Sequence, residues 1–194
     1  MVTAAHIYEY GQQLGYYWSL NDVCVMLPAG FSLITVLATY GLTFEVTGGS
    51  WTASTLASAI MAIIPAHLMR SIAGGFDNES VAVAAIVVTF YVWVRALRSP
   101  SLSWLFGSVC GVAYVYLVSS WGAYIFVLNM IGVHAGVLAV VLGRFSTRLH
   151  LAYSTFYLIG TYGALQFPTV GLQVRNKDLS QYIRPYCENG VHYW

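Results

Sequence analysis

Charge is scarce in this sequence of 194 residues: 8 residues are Lys or Arg and 7 are Asp or Glu, together 8% of the chain. A soluble domain carries roughly 25% charged residues. This amount of charge is too small to keep a globule of this size in solution, which excludes a soluble enzyme and a disordered chain. The net charge of +1 also excludes a nucleic-acid-binding protein, because it provides no basic surface for phosphates.

Paired cysteines and a signal peptide are missing as well. Cys24, Cys110 and Cys187 form no Cys-x-x-Cys motif and no even set, so we expect neither a disulfide framework nor a cysteine metal site. The first 20 residues lack a basic segment followed by an apolar core and are therefore no signal peptide. They are polar and aromatic, which is typical of the membrane–water interface.

Long apolar runs are what the sequence contains: hydrophobic residues make up 58% of it and aromatic residues 15%. A helix needs about 20 apolar residues to cross a bilayer, and the runs between the charges have room for six such helices. We therefore predict an all-α, multi-pass transmembrane helix bundle at 21–171, between an interfacial lumenal segment at 1–20 and a divergent polar tail at 172–194. The predicted spans are 23–44, 51–69, 79–97, 102–118, 123–143 and 150–170.

The arginines indicate the orientation of the bundle. Arg95, Arg98, Arg144 and Arg148 lie in loops on one side, and the loops on the other side hold only Arg70. Cytoplasmic loops are enriched in Lys and Arg, so we expect the Arg70–Glu79 loop on the lumenal or external side. Three basic residues of the tail oppose this count, and we give more weight to the short loops; these residues are Arg175, Lys177 and Arg184.

The loop between the second and third predicted spans holds the cluster that can carry chemistry. Asp77 and Glu79 follow Gly74-Gly75, which ends the preceding helix. With Asp77 at a helix N-cap, both carboxylates can turn toward one point, where they repel each other unless they share a proton or a cation. A hard divalent ion relieves that repulsion, and Arg70 can pair with the cluster or with a substrate phosphate. The alternative is an ordinary solvated helix cap.

Other polar and small residues have simpler interpretations. His67, three residues before Arg70, either assists the cluster or bonds to backbone at a helix end. His134, inside the fifth predicted span, either relays protons or forms a hydrogen bond within the bundle. Close helix packing is predicted at Gly132, Gly136 and Gly143.

The run from Arg70 to Glu79 resembles the second acidic motif of the catalytic, staurosporine-sensitive subunit of oligosaccharyltransferase. That family carries Arg-Ser-x-Ala-Gly-x-[Phe/Tyr]-Asp-Asn-Glu, and this chain has Arg-Ser-Ile-Ala-Gly-Gly-Phe-Asp-Asn-Glu. The resemblance covers 19–173, and the preceding Pro-Ala-His-Leu-Met-Arg-Ser is most similar to kinetoplastid-protist forms. Four further segments resemble the family in the same order: Asp22–Val25, Thr89–Arg95, Trp121–Phe126 and Tyr153–Tyr157.

This resemblance implies a GT-C type glycosyltransferase in the endoplasmic reticulum membrane. Family members transfer an oligosaccharide, with inversion, from dolichyl diphosphate to Asn of Asn-X-Ser/Thr in nascent polypeptides. Asp77 and Glu79 match ligands of a catalytic Mn²⁺ or Mg²⁺ ion, and Arg70 matches a catalytic basic residue beside it. Trp121 and Tyr124 match a loop that binds the donor near its diphosphate. The resemblance leaves open whether other oligosaccharyltransferase subunits are partners.

Three parts of the family's pattern have no counterpart here: the first helix with its loop aspartate, the fifth-loop glutamate and the Trp-Trp-Asp-Tyr-Gly module. We therefore expect the chain to be a piece of a longer enzyme and to be inactive alone. The alternatives are a transporter or channel fragment, gated by Arg70, Asp77 and Glu79, and a non-catalytic membrane assembly partner. A transporter needs ionisable groups within its spans, and His134 is the one such residue in the sequence.

Overall fold

The computed structural model describes residues 2–16, 18–75, 77–143, 145–167 and 170, and the predicted tail at 172–194 lies outside them. Within these ranges the chain forms helices and no strand, which confirms the all-α fold class. The helix at Tyr124–Gly136 continues into a π-helical turn at Val137–Val141. The helices described are α1 (Val2–Gln13), α2 (Leu20–Val46), α3 (Trp51–Ile63), α4 (Pro65–Ser71), α5 (Asn78–Arg98), α6 (Ser103–Ser120), α7 (Tyr124–Gly136) and α8 (Thr147–Leu165).

Four helices are long and apolar enough to cross a membrane: α2, α5, α6 and α7 with its π-helical turn. They correspond to four of the predicted spans. The predicted span at 51–69 is divided into α3 and α4, which are bent by 59° and count as a fifth span only if taken together. The predicted span at 150–170 corresponds to α8, which is less apolar because its first turn contains Arg148 and His150. By length and composition, the described residues thus supply four or five candidate spans, which roughly matches the six predicted.

Side chains that accept hydrogen bonds from free backbone N–H groups fix the helix starts. At α2, Asp22 N donates to Ser19 Oγ (3.2 Å) and Ser19 N donates to Asp22 Oδ2 (3.1 Å), which forms a capping box. Ser50 caps α3 with one such bond. Pro65 begins α4, where its missing N–H has no helical partner to lose. Because a residue before proline avoids the helical region, Ile64 is extended and the bend falls there.

Aromatic side chains fill the core between α5, α6 and α8. Trp93, Tyr114 and Phe156 are all fully buried. The Phe156 ring lies 6.1 Å from the Trp93 ring and 5.7 Å from the Tyr114 ring, measured between centroids. Trp93 Nε1 donates to His134 Nδ1 at 2.9 Å, so His134 forms the predicted hydrogen bond within the bundle.

Glycines bring α6 and α8 into close contact. A Cβ atom at Gly107 would lie 2.2 Å from Thr155 Oγ1, and one at Gly163 would lie 2.3 Å from Val115 Cγ2. The predicted close packing at three other glycines is wrong among the described residues. A Cβ there meets nothing within 4 Å or only an ordinary contact at 3.6 Å; these positions are Gly132, Gly136 and Gly143.

The segment at 1–20, which the sequence predicts to be interfacial, contains α1, and this helix packs against the bundle. Ala4 is buried against Leu27 of α2 and Val81 of α5. Thr3 Oγ1 and Tyr116 OH are hydrogen-bonded at 3.1 Å. This helix therefore lies over the end of the bundle at which α5 begins.

An ion cluster joins α2 and α5 at the other end of α5. The side chain of Glu45 is only 9% exposed, and its carboxylate accepts a hydrogen bond from Arg95. Arg98 donates to the Glu45 backbone carbonyl oxygen, and its Nη1 lies 3.7 Å from Glu45 Oε2. Two arginines predicted as orientation signals thus also hold a buried carboxylate, while Arg144 lies outside the described residues.

Candidate functional site

The acidic cluster lies at the first turn of α5. Asp77 is the N-cap, with φ −128° and ψ 143°, and its Oδ1 accepts a hydrogen bond from Glu79 N at 3.4 Å. Ser80 Oγ donates to the Asp77 carbonyl oxygen at 2.9 Å. Gly74, with φ +93°, adopts a left-handed conformation that favours glycine and lets the chain leave α4. The predicted helix break and extended N-cap are both confirmed.

Arg70 holds the two carboxylates together. Its Nη1 lies 2.9 Å from Asp77 Oδ2, and its Nε lies 2.9 Å from Glu79 Oε2. The acids therefore converge on the guanidinium group, which is one of the two partners that the sequence left open for Arg70. The divalent ion between them stays a prediction. All three side chains are 42–49% exposed, so water weakens these ion pairs and leaves them open to exchange with other partners.

The position of Arg70 depends on the bend before it. Arg70 is in the last turn of α4, a helix of 7 residues that starts at Pro65. The 59° bend at Ile64 separates this helix from α3. The basic residue at a helix C-terminus and the acids at the next helix N-terminus each complement the helix dipoles, which favours this arrangement.

A cavity of about 720 Å³ opens beside the cluster. Asp77 and Asn78 form one part of its wall, and Ser119 and Ser120 at the end of α6 form another. Thr3 and His6 from α1 also line it. Sequence reasoning missed the contribution of α1, because only tertiary structure brings residues so far apart in the chain to one cavity.

Trp121 and Tyr124 closely follow the lining residues Ser119 and Ser120 in the sequence, but they do not line the cavity themselves. Trp121 follows Ser120 directly, and its backbone N–H donates to the Leu117 carbonyl oxygen at 2.9 Å. The Tyr124 ring lies 6.5 Å from the Tyr114 ring and packs against the core. The structure therefore places both residues at the same end of the bundle as the cluster, and their binding to a donor stays a prediction.

The donor atoms of the cluster suit a hard divalent cation, because carboxylate oxygens are the ligands that Mg²⁺ and Mn²⁺ prefer. Asp77 and Glu79 already converge, so the type and the direction of their oxygen atoms fit such an ion. In the part of the chain that the structure describes, no group of three or more His, Cys, Asp or Glu residues comes together. These two residues would therefore supply part of a coordination shell, with the rest from water, substrate or other protein segments.

Comparisons with known proteins agree with the motifs. The family model described as oligosaccharyl transferase STT3, N-terminal, matches residues 1–185, which is wider than the 19–173 expected from the motifs. The chain is 40% identical over 173 residues to the dolichyl-diphosphooligosaccharide–protein glycosyltransferase subunit stt3 of Schizosaccharomyces pombe. It is 39% identical over 175 residues to the corresponding subunit of Caenorhabditis elegans and 38% identical over 180 residues to that of Saccharomyces cerevisiae.

The coverage of these matches is unequal. They include 89%, 89% and 92% of this chain but 22%, 22% and 24% of the three relatives. The chain thus spans less than a quarter of the length of the curated relatives it matches. Nothing in the comparisons supports a transporter or channel. A family match over 1–185, with the acidic motif folded at a helix start, shows that this chain belongs to the STT3 family of oligosaccharyl transferases.

Proposed function

We propose that this chain is part of the catalytic subunit of a dolichyl-diphosphooligosaccharide–protein glycosyltransferase in the endoplasmic reticulum membrane. The observation that carries the proposal is the convergence of Asp77 and Glu79 on Arg70 at a helix start beside a cavity, in a chain of the STT3 family. The three side chains would face the lumen. The substrates would be a lipid-linked oligosaccharide and the Asn of Asn-X-Ser/Thr in a nascent polypeptide.

Asp77 and Glu79 would hold the Mn²⁺ or Mg²⁺ ion. When bound, such an ion offsets the charge of a diphosphate and orients the acceptor. Arg70, released from its two carboxylate partners, can then pair with a phosphate of the donor, because its guanidinium group presents several donors in one plane. Positive charge beside a departing diphosphate stabilises the charge that develops on it.

The cavity beside Asp77 is where we place the donor's diphosphate. It reaches Ser119 and Ser120, which immediately precede Trp121. A small rearrangement of the segment between α6 and α7 would bring Trp121 and Tyr124 to the lipid-linked substrate. Both carry an apolar ring and a polar group, which suits the membrane surface.

The test is a chimera of the Saccharomyces cerevisiae relative in which residues 1–185 of this chain replace the matched segment. In cells that depend on the chimera, the measurement is the occupancy of Asn-X-Ser/Thr sites in a reporter glycoprotein. We expect Asp77→Asn and Glu79→Gln each to lower occupancy strongly at equal protein level. Glu9→Gln is the matched control, because Glu9 is an exposed acid on α1 outside the cluster. Full occupancy with both acids changed would refute the proposed function.

A further inference from the structure

His67 is a buried polar residue that the proposed chemistry does not use. It lies on α4 and is 5% exposed. Its Nε2 is 3.0 Å from Ser32 Oγ on α2, and its Nδ1 is 3.4 Å from Ser71 Oγ at the end of α4. Both ring nitrogens therefore have side-chain partners. The predicted backbone partner of the ring is not what the structure shows.

The hydrogen bonds select one tautomer. Ser71 Oγ donates to the His67 carbonyl oxygen at 2.7 Å, so its single proton is used there and its oxygen accepts from His67 Nδ1–H. His67 Nε2 is then the acceptor for the Ser32 hydroxyl group. A neutral His67 ring with its proton on Nδ1 satisfies the ring and both serine hydroxyl groups. It connects Ser32 of α2 with Ser71, one helical turn further along α4.

This network lies on the same short helix as Arg70. His67, which bonds to α2, precedes Arg70 by three residues, and Ser71, which bonds to His67, follows Arg70 by one. A second contact lies just beyond, where Gly74 N donates to the Val25 carbonyl oxygen on α2 at 3.0 Å. A helix of 7 residues is too short to be stable by itself, so its direction depends on such contacts.

We propose that His67, through Ser32 and Ser71, is a positioning residue that holds Arg70 within reach of Asp77 and Glu79. The proposal rests on the proposed function for its catalytic consequence, but the placement of Arg70 can be measured without it. His67 touches none of the three charged residues in the described contacts, so it acts through the direction of α4 and not as an acid or a base. Without His67, the ion pairs of Arg70 with Asp77 and Glu79 would be formed for a smaller fraction of the time.

The first measurement uses the chain in lipid nanodiscs with ¹⁵N-labelled arginine. The Arg70 Nε–Hε signal, assigned with Arg70→Lys, reports the bond to Glu79 through its hydrogen exchange with water. We expect His67→Phe, which has a similar size but no hydrogen-bonding nitrogen, to speed this exchange by up to about tenfold, the equivalent of one lost hydrogen bond. His67→Gln should restore most of the protection, because its amide oxygen can accept from Ser32.

Two further variants keep the result interpretable. Ser32→Ala removes the partner on α2 with a smaller change in volume, and we expect it to act like His67→Phe even if the latter folds poorly. His150→Phe is the control, because His150 is an exposed histidine of α8 that should leave the Arg70 signal unchanged. An Arg70 signal that stays protected in both His67→Phe and Ser32→Ala overturns the proposal.

The second measurement separates this proposal from the proposed function. In the chimera, His67→Phe should raise the KM for the lipid-linked donor more than it lowers kcat, and His67→Gln should stay near the unchanged chain. Faster exchange at Arg70 Nε–Hε together with normal glycosylation supports the positioning role and overturns the catalytic role of Arg70. A protected signal with impaired glycosylation overturns the positioning role and leaves the proposed function standing.

Discussion

Glu45 of α2 and Arg95 of α5 form an ion pair at the end of α5 opposite to Asp77. Helix α5 has 21 residues. It measures about 31 Å at 1.5 Å per residue, which is close to the thickness of a bilayer core. One end of α5 thus presents acids to an arginine of α4, and the other end presents arginines to an acid of α2. The two clusters fix both ends of one helix.

The Glu45 cluster should matter for stability in an asymmetric way. We expect Arg95→Ala combined with Arg98→Ala to lower the free energy of unfolding by about 3 kcal/mol, since a buried charge would lose its partners. Glu45→Gln should cost less, because the two arginines that remain are about half exposed and can reach water. Unfolding of the chain in detergent, followed by circular dichroism, measures both, with Arg148→Ala as an exposed control.

Cation binding should reveal the competition of Arg70 for the two acids. We expect Asp77→Asn to weaken Mn²⁺ binding about tenfold or more. Arg70→Met should strengthen it about fivefold, because the guanidinium group no longer occupies the carboxylates and exposed ion pairs contribute up to about 1 kcal/mol. Electron paramagnetic resonance of free Mn²⁺ measures the Kd.

Glu9→Gln is the control for that measurement, because it removes one exposed carboxylate elsewhere. Equal Mn²⁺ affinity in the unchanged chain and in Asp77→Asn would remove Asp77 from the ligands. Weaker binding in Arg70→Met would show that Arg70 supports the ion instead of competing with it.

The contact between α6 and α8 should be intolerant of a single methyl group. We expect Gly163→Ala to lower the free energy of unfolding by about 1–3 kcal/mol, because the new Cβ would lie 2.3 Å from Val115 Cγ2. Gly136→Ala is the matched control: its Cβ meets nothing within 4 Å, and alanine favours the helix by about 1 kcal/mol. Thermal unfolding of both variants should show opposite shifts in Tm, and a shared direction would contradict the packing argument.

The orientation of the bundle can be mapped with single cysteines in a chain whose three natural cysteines are replaced by serine. In sealed microsomes, an impermeant maleimide should label Ser101→Cys, in the loop after α5. It should label Ala73→Cys, between α4 and α5, only after the membrane is opened. Both positions are exposed, so the membrane alone decides their access. The reverse pattern would place the acidic cluster in the cytosol and exclude the proposed reaction there.

Local sequence signals predicted the helices and the acidic cluster well. The apolar runs of α2, α5 and α6 stand between charged residues, and the Gly74-Gly75 break sets Asp77 at an N-cap as expected. The count of candidate spans, four or five against the six predicted, agrees only roughly. Pro65 divides one apolar run into two helices. Polar residues in the first turn of α8 lower the mean hydropathy of that helix.

Contacts between distant residues could not be predicted. The sequence left open whether Arg70 pairs with the acids or with a phosphate, because that depends on where the bend directs α4. The bond from His67 to Ser32 joins residues 35 positions apart, for which a single sequence holds no signal. The close packing at the glycines of α6 and α8 could not be predicted either, because it depends on which helix lies next to each glycine.

The two ion clusters at the ends of α5 also bear on which parts can move. A tilt of α5 would pull apart Arg70 from Asp77 and Arg95 from Glu45 in a single motion, so this helix is the fixed frame of the region. Because His67 and Gly74 bond α4 to α2, movement during a catalytic cycle is then expected in the Arg70 side chain. A substrate that attracts Arg70 then needs to reorient only one exposed side chain.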